Sequence, residues 1–316
     1  MNALLAHIYH SNQCIETHNQ FSIHSLKMSD VNTAYVWNNS LNKFNNAYFL
    51  PKNLRALICG KSSCGKTVLV LHLLLEPNVL DYDSLILCGN SLHQDQYCVL
   101  QSGLEKKLSK NQIRAIFEHQ EQVEECGGVD RLLSQYKGEC KGKNIISQFY
   151  TNIDDLPDPK TLDVNRKHLL VLDDCMLSRQ NKAEAYYTRG RHNRCQAIYI
   201  TQNYFKLPRS SVRECASFII FFRQDYKNLS HIFSDHCTED EVTFQQFSKF
   251  CHDVWKENDH NFVTSDNTRP VNCGRFRKNL NHYWSPLYEK LKIELLSENK
   301  SVDSSQKFHS KKRKRK

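Results

Sequence analysis

Short apolar runs recur along this chain, separated by polar stretches long enough to hold helices. The first, Leu54, Ala56, Leu57, Ile58 and Cys59, leads into a glycine-containing loop and then into the apolar segment from Val68 to Leu75. That succession reads as strand, loop and helix. Further runs of strand length follow at Ser84 to Cys88, His168 to Leu172, Ala197 to Thr201 and Phe218 to Phe222. Each is rich in β-branched, aromatic or leucine side chains, and several of the intervals between them would accommodate a crossover helix. Five such runs predict an α/β fold with a parallel five-stranded core sheet and helices on both faces.

The intervening segments are less regular. Residues 104 to 150 are charged and partly helical, with Ile113, Ile116 and Phe117 at helical spacing, and read as one elongated crossover. Pro157 and Pro159 mark a turn just before the next strand. Residues 1–50 are rich in Asn, His and Ser and show no sustained period, which predicts an irregular N-terminal extension packed on the core. The main domain is expected over 51–290, followed by a polar linker and basic tail over 291–316.

Composition narrows the class. At 316 residues, with 40% hydrophobic and 24% charged side chains, the chain suits one large globular domain with additions. The apolar run from Val68 to Leu75 is far shorter than the roughly 18 to 20 residues that cross a bilayer, and the first nine residues lack the features of a secretory signal. A membrane protein is not expected, and the chain is expected to stay inside the cell. Thirteen cysteines are scattered without a CxxC pair, which favours reduced thiols. His236-Cys237 with Cys251-His252 does not match zinc-finger spacing.

The formal net charge is +9, but residues 311 to 316 are all Lys or Arg, and removing those six charges lowers +9 to +3. The body of the chain is therefore only mildly basic, and net charge alone is a weak argument for DNA binding. A dense basic run after a polar spacer reads as a nuclear localisation signal engaging importin, with a solvated charge run and a DNA-contacting arm as alternatives. Host-nuclear localisation is the expectation, with virion association as a further possibility.

The loop after the first strand carries the chemistry. Gly60-Lys61-Ser62-Ser63-Cys64-Gly65-Lys66-Thr67 matches G-x-x-x-x-G-K-[ST] at every fixed position, with the required strand before it and helix after it. Gly60, Ser62, Ser63, Cys64 and Gly65 would turn successive N–H groups toward the phosphates of ATP at a helix N-terminus. Lys66 would place its ammonium on the β and γ phosphates, and the Thr67 hydroxyl would ligate Mg²⁺. The run His168 to Asp174 ends in two carboxylates where an α/β sheet presents its ligand chemistry. Asp173 is expected in the Mg²⁺ shell through water, and Asp174 is expected to polarise the attacking water. Adjacent acids after an intervening strand favour an ATP-hydrolysing motor over a small-molecule kinase.

After the acids come Thr188-Arg189-Gly190-Arg191-His192, the strand Ala197 to Thr201, Gln202-Asn203, Leu207-Pro208 and Arg213. This ordered set resembles the FtsK/HerA superfamily of RecA-like, additional-strand P-loop ATPases. Within it, the set is most similar to the poxvirus-type DNA-packaging ATPases, including those of polinton-like and adintovirus-like elements. Leu87 to Leu92 with Gln96-Tyr97, and Asn261 to Val263 with Arg275 to Arg277, extend the resemblance over about residues 50 to 280. The resemblance implies a polar sensor at Gln202 facing the γ-phosphate and an arginine finger at Arg191, with Arg189 and Arg194 as competitors. It departs at Asp174, where many members carry glutamate. It also implies a homo-oligomeric ring, pentamer or hexamer, that drives double-stranded DNA into a capsid and so meets capsid proteins. A helicase or cellular DNA translocase on the same core is the alternative, and a nucleotide-dependent scaffold the third.

Overall fold

The computed structural model describes residues 44–118, 145–237 and 242–286. In chain order its strands are β1 (Arg55–Cys59), β2 (Ser84–Gly89), β3 (Ile146–Tyr150), β4 (His168–Asp173), β5 (Cys195–Thr201), β6 (Phe218–Phe221), β7 (Val263–Asp266), β8 (Phe276–Lys278) and β9 (His282–Trp284). The helices are α1 (Lys66–Leu75), α2 (Asp95–Glu105), α3 (Lys110–Glu118), α4 (Asn181–Arg189), α5 (Tyr226–His236) and α6 (Phe244–Glu257).

Among the described residues, nine strands join one sheet in the order β3-β2-β4-β5-β1-β6-β7-β8-β9. The pairings from β3 across to β6 are parallel, and those from β6 to β9 are antiparallel. The expected five strands are β1, β2, β4, β5 and β6, so the five-stranded expectation is corrected to six parallel strands extended by a three-stranded antiparallel ribbon. The physical reason lies in burial. β3 is a half-exposed edge strand carrying Ser147 and Gln148, so it lacks the apolar run of a central strand. It falls at the end of the expected crossover of 104 to 150, whose described start holds the last residues of α2 and then α3. The ribbon is polar in composition yet buried: Thr264, Ser265, Asp266 and Arg277 are all inaccessible to solvent.

Arg277 explains how such a ribbon packs. Its guanidinium donates to the Asp266 carboxylate at 2.7 Å, to the Gly274 carbonyl at 2.8 Å and to the Phe49 carbonyl at 2.6 Å. Asp266 also pairs with Arg269 at 2.9 Å. A buried charge is tolerated only when it is paired and hydrogen-bonded in this way.

Each central strand feeds two cores, because successive side chains point to opposite faces. Leu57, Cys59, Leu170, Leu172, Ala197 and Tyr199 pack under α4, α5 and α6. Ala56, Ile58, Leu169, Val171, Ile198 and Ile200 pack under α1, α2 and α3. Of the expected N-terminal extension, residues 1–43 lie outside the described residues. Phe44 is buried, and Ala47 N–H bonds the Val79 carbonyl at 2.9 Å. The tail at 291–316, including the basic run, also lies outside them. His252 packs edge-on against Trp255, at 5.6 Å between ring centroids. Among the described residues no helix is long and apolar enough to cross a membrane.

The decisive topological fact is the position of β5, which pairs with β1 on one side and β4 on the other. A strand thus separates the glycine-loop strand from the carboxylate strand. This is the additional-strand arrangement of a RecA-like P-loop NTPase fold.

Candidate nucleotide site

Register brings the candidate residues to one edge. Cys59, last in β1, lies opposite Thr201, last in β5, and Asp173, last in β4, lies opposite Ile200. The loop after β1, the acids after β4 and Gln202 after β5 therefore emerge together at the carboxyl ends of parallel strands. That is where open α/β sheets hold ligands.

The loop is built by its glycines. Gly65 caps α1 at φ 102°, a left-handed conformation that a Cβ would strain. At Gly60 a Cβ would fall 2.6 Å from Cys64 Sγ and 2.9 Å from Phe222 Cβ, so the turn closes only around a hydrogen. Ser63 also lies at positive φ, and Ser62 and Ser63 are exposed. The first turn of α1 carries N–H groups without intrahelical acceptors and the positive end of the helix dipole, a cradle suited to phosphate. Lys66 is buried and turns its ammonium back on the Lys61 carbonyl at 2.6 Å. Its side chain thus already lies along the loop.

The acids differ in environment. Asp173 is buried, and its Oδ2 accepts the phenolic O–H of Tyr97 on α2. Burial raises its carboxyl above the usual range and the Asp174 charge adds to this, while the Tyr97 bond and Lys66 oppose it. Burial and the Asp173 charge together hold the Tyr97 phenol protonated far above its usual range, with Thr67 a second polar neighbour. Asp174 stands at φ 52°, pinned by its N–H to the Ile200 carbonyl at 3.1 Å. Its Oδ2 accepts from Gln202 Nε2 at 2.9 Å. Asn90, following β2, donates to the Asp174 carbonyl at 3.4 Å.

Thr67, Asp173, Asp174 and Gln202 are thus brought together beside the loop. Arg191 is not. It is exposed in a short 3₁₀ turn (Gly190–Asn193) that precedes β5, whose first residue pairs with the start of β4. At about 3.3 Å per residue a seven-residue strand spans roughly 20 Å, so Arg191 stands at the opposite edge of the sheet from its own loop. Arg189 ends α4 at that same edge, and Arg194 holds a left-handed conformation there. Arg213 is buried against Asp235 at 2.9 Å and takes no part in the site.

Two residues at the site belong to no catalytic motif in the sequence. Tyr97 was only part of a resemblance, and its bond to Asp173 depends on the packing of α2. His260, in the turn between α6 and β7, brings Nδ1 to 3.4 Å from the Cys64 carbonyl. It lies 196 positions from the loop, so no local pattern could mark it.

The donor set offered by Thr67 and Asp173, a hydroxyl and a carboxylate, consists of hard oxygen ligands that suit Mg²⁺. The loop and helix terminus suit the polyphosphate of a nucleotide. Fold and site define a P-loop NTPase class.

Solved structures with similar folds include the genome packaging NTPase B204 from Sulfolobus turreted icosahedral virus 2 in complex with sulfate. It is 13% identical, with a TM-score of 0.42, over 74% of this chain and 98% of that one. VirB4 of Thermoanaerobacter pseudethanolicus is 11% identical, with a TM-score of 0.38, over 75% and 91%. The cytoplasmic domain of the Thermomonospora curvata type VII secretion ATPase EccC is 12% identical, with a TM-score of 0.35, over 73% and 26%. No family model and no curated protein sequence matches the chain.

Proposed function

We propose that this chain is an ATP-hydrolysing motor that translocates double-stranded DNA into a capsid. The observation that carries the hydrolytic half is the contact between Asp174 and Gln202, made at the same sheet edge as the glycine loop. An acid held by an amide beside a phosphate cradle is arranged to orient water. The DNA-packaging half rests on the ordered run from Arg189-Gly190-Arg191-His192 through Gln202 to Leu207-Pro208.

Bound ATP and Mg²⁺ would supply the γ-phosphoryl group and the cation that neutralises charge on its oxygens. In this reading the loop from Gly60 to Gly65 binds the phosphates, and Lys66 leaves the Lys61 carbonyl to meet them. Thr67 and Asp173 hold the cation. Asp174 takes up a proton from the attacking water, and Gln202 fixes the orientation of that carboxylate. Arg191 acts on the site of a neighbouring subunit, which places the enzyme in a ring. The basic run at 311–316 serves as a nuclear import signal.

The test measures ATP turnover by the purified protein with and without double-stranded DNA, alongside strand separation of a labelled duplex. Turnover stimulated by duplex without strand separation supports the proposal. Strand separation would favour the helicase reading, and turnover indifferent to DNA would sink the translocation reading.

A further inference from the structure

The bond between Tyr97 and Asp173 bears on the site in a way no motif marks. Tyr97 sits in the first turn of α2, almost wholly buried in the core beneath that helix. A buried phenol must find a partner, and here the partner is a carboxylate of the candidate cation site rather than a backbone carbonyl. The bond engages Oδ2 of Asp173 and leaves the carboxylate further lone pairs for a cation.

Two further contacts come from the same stretch of chain. Gly89, last in β2, lies so close to the acid that a Cβ there would fall 3.0 Å from the Asp173 carbonyl oxygen and 3.2 Å from its Cβ. Asn90 donates to the carbonyl of Asp174. β2 is also the strand paired directly with β4, Gly89 lying opposite Asp173. The nine residues from Gly89 to Tyr97 therefore touch both acids through side chain, backbone and close steric approach.

We propose that Tyr97 is a positioning residue for the Mg²⁺ site: its hydroxyl holds the Asp173 carboxylate in one rotamer, with Gly89 setting how closely β2 approaches that acid. The inference rests on the reading of Asp173 as a cation-shell residue. Groups that orient metal ligands from behind are worth about 10 to 100-fold in metal affinity. Tyr97 acts through Asp173, with the Thr67 side chain as its second polar neighbour.

The experiment compares wild type with Tyr97→Phe, which keeps the packed ring and removes the hydroxyl. Binding of a fluorescent ATP analogue is titrated at fixed nucleotide against Mg²⁺, then repeated in excess chelator, and thermal unfolding is recorded without ligand. The expected result is a Mg²⁺ half-saturation raised about tenfold, with chelator-state binding and the unfolding midpoint close to wild type. A half-saturation within twofold of wild type overturns the proposal. So does an equal loss of binding with and without Mg²⁺, since a purely structural role would produce that. If Tyr97→Phe does not fold, Gly89→Ala, which presses a methyl on Asp173, is expected to raise the half-saturation in the same way. An unchanged value there overturns the proposal instead. Wild-type protein whose nucleotide binding ignores Mg²⁺ would overturn the cation-site reading itself, an outcome distinct from a failure of Tyr97 alone.

Discussion

Two side chains at the candidate site separate binding from chemistry. Lys66 reaches along the loop and touches no acid among its hydrogen-bond partners, so Lys66→Ala removes the charge proposed to meet the phosphates and is expected to lose nucleotide affinity or turnover. Asp174 is held by Gln202 and by the backbone of β5, so Asp174→Asn keeps the shape of the turn while removing the carboxylate proposed to take up a proton. It is expected to retain Mg-ATP and to hydrolyse at well below the wild-type rate. Parallel binding and phosphate-release assays check the pair. Hydrolysis at the wild-type rate in Asp174→Asn would move the catalytic acid elsewhere.

Among the elements, the C-terminal end of α5 couples structure to pH. His236 accepts from Asn267 Nδ2 at 3.1 Å through Nδ1, and its Nε2 lies 2.7 Å from the Tyr204 hydroxyl. Asp235, Arg213 and Arg275 surround it, and burial pushes the imidazole down to about 4, with the two arginines helping and Asp235 opposing. An unfolded chain takes up this proton near pH 6.5, whereas the folded one resists it until about pH 4. Between those values the unfolded state binds more protons, so stability falls as pH drops through that window, by up to about 3 kcal/mol. His236→Asn removes the titrating group and is expected to flatten the fall. Denaturant midpoints measured from pH 7 to pH 4 check this, and equal slopes in both proteins would contradict it.

What the sequence made legible at this scale follows from burial. Strands covered on both faces, such as Leu169 to Leu172, announce themselves as apolar runs. The glycine loop is legible because its spacing is local. The ribbon β7–β9 stayed hidden because Asp266 and Arg277 satisfy each other inside the core, which inverts the usual match between polarity and exposure. β3 stayed hidden because an edge strand needs less apolar surface. Gln202 and Asp174 were each expected near the site, yet their contact depends on the left-handed turn at Asp174, which only the folded backbone displays.

At the scale of the whole molecule, the role proposed for Arg191 ties the site to assembly. It stands at the sheet edge remote from its own loop, so within one chain it does not reach the glycine loop. Arg191→Ala is expected to keep ATP binding and to lose turnover by about 10³-fold. A Lys66→Ala subunit still carries Arg191, and an Arg191→Ala subunit still carries an intact loop. Mixing these two inactive proteins is therefore expected to restore part of the activity. If subunit exchange is demonstrated and no mixture recovers turnover, Arg191 does not act between subunits.

The strand order also sets a schedule. β1 has only β5 and β6 as neighbours, and both arrive late in the chain. Leu54, just before β1, is separated by 142 positions from Gln196, whose side chain accepts its N–H, and Arg55 by 162 from Ser217. On a ribosome adding about 5 to 20 residues per second, β1 and its loop wait on the order of ten seconds for their first partner. Throughout that interval the nascent chain holds a complete phosphate-binding motif without the sheet that supports it. A fragment ending at residue 190 contains every residue of the loop and both acids, and for this reason it is expected to show no nucleotide binding.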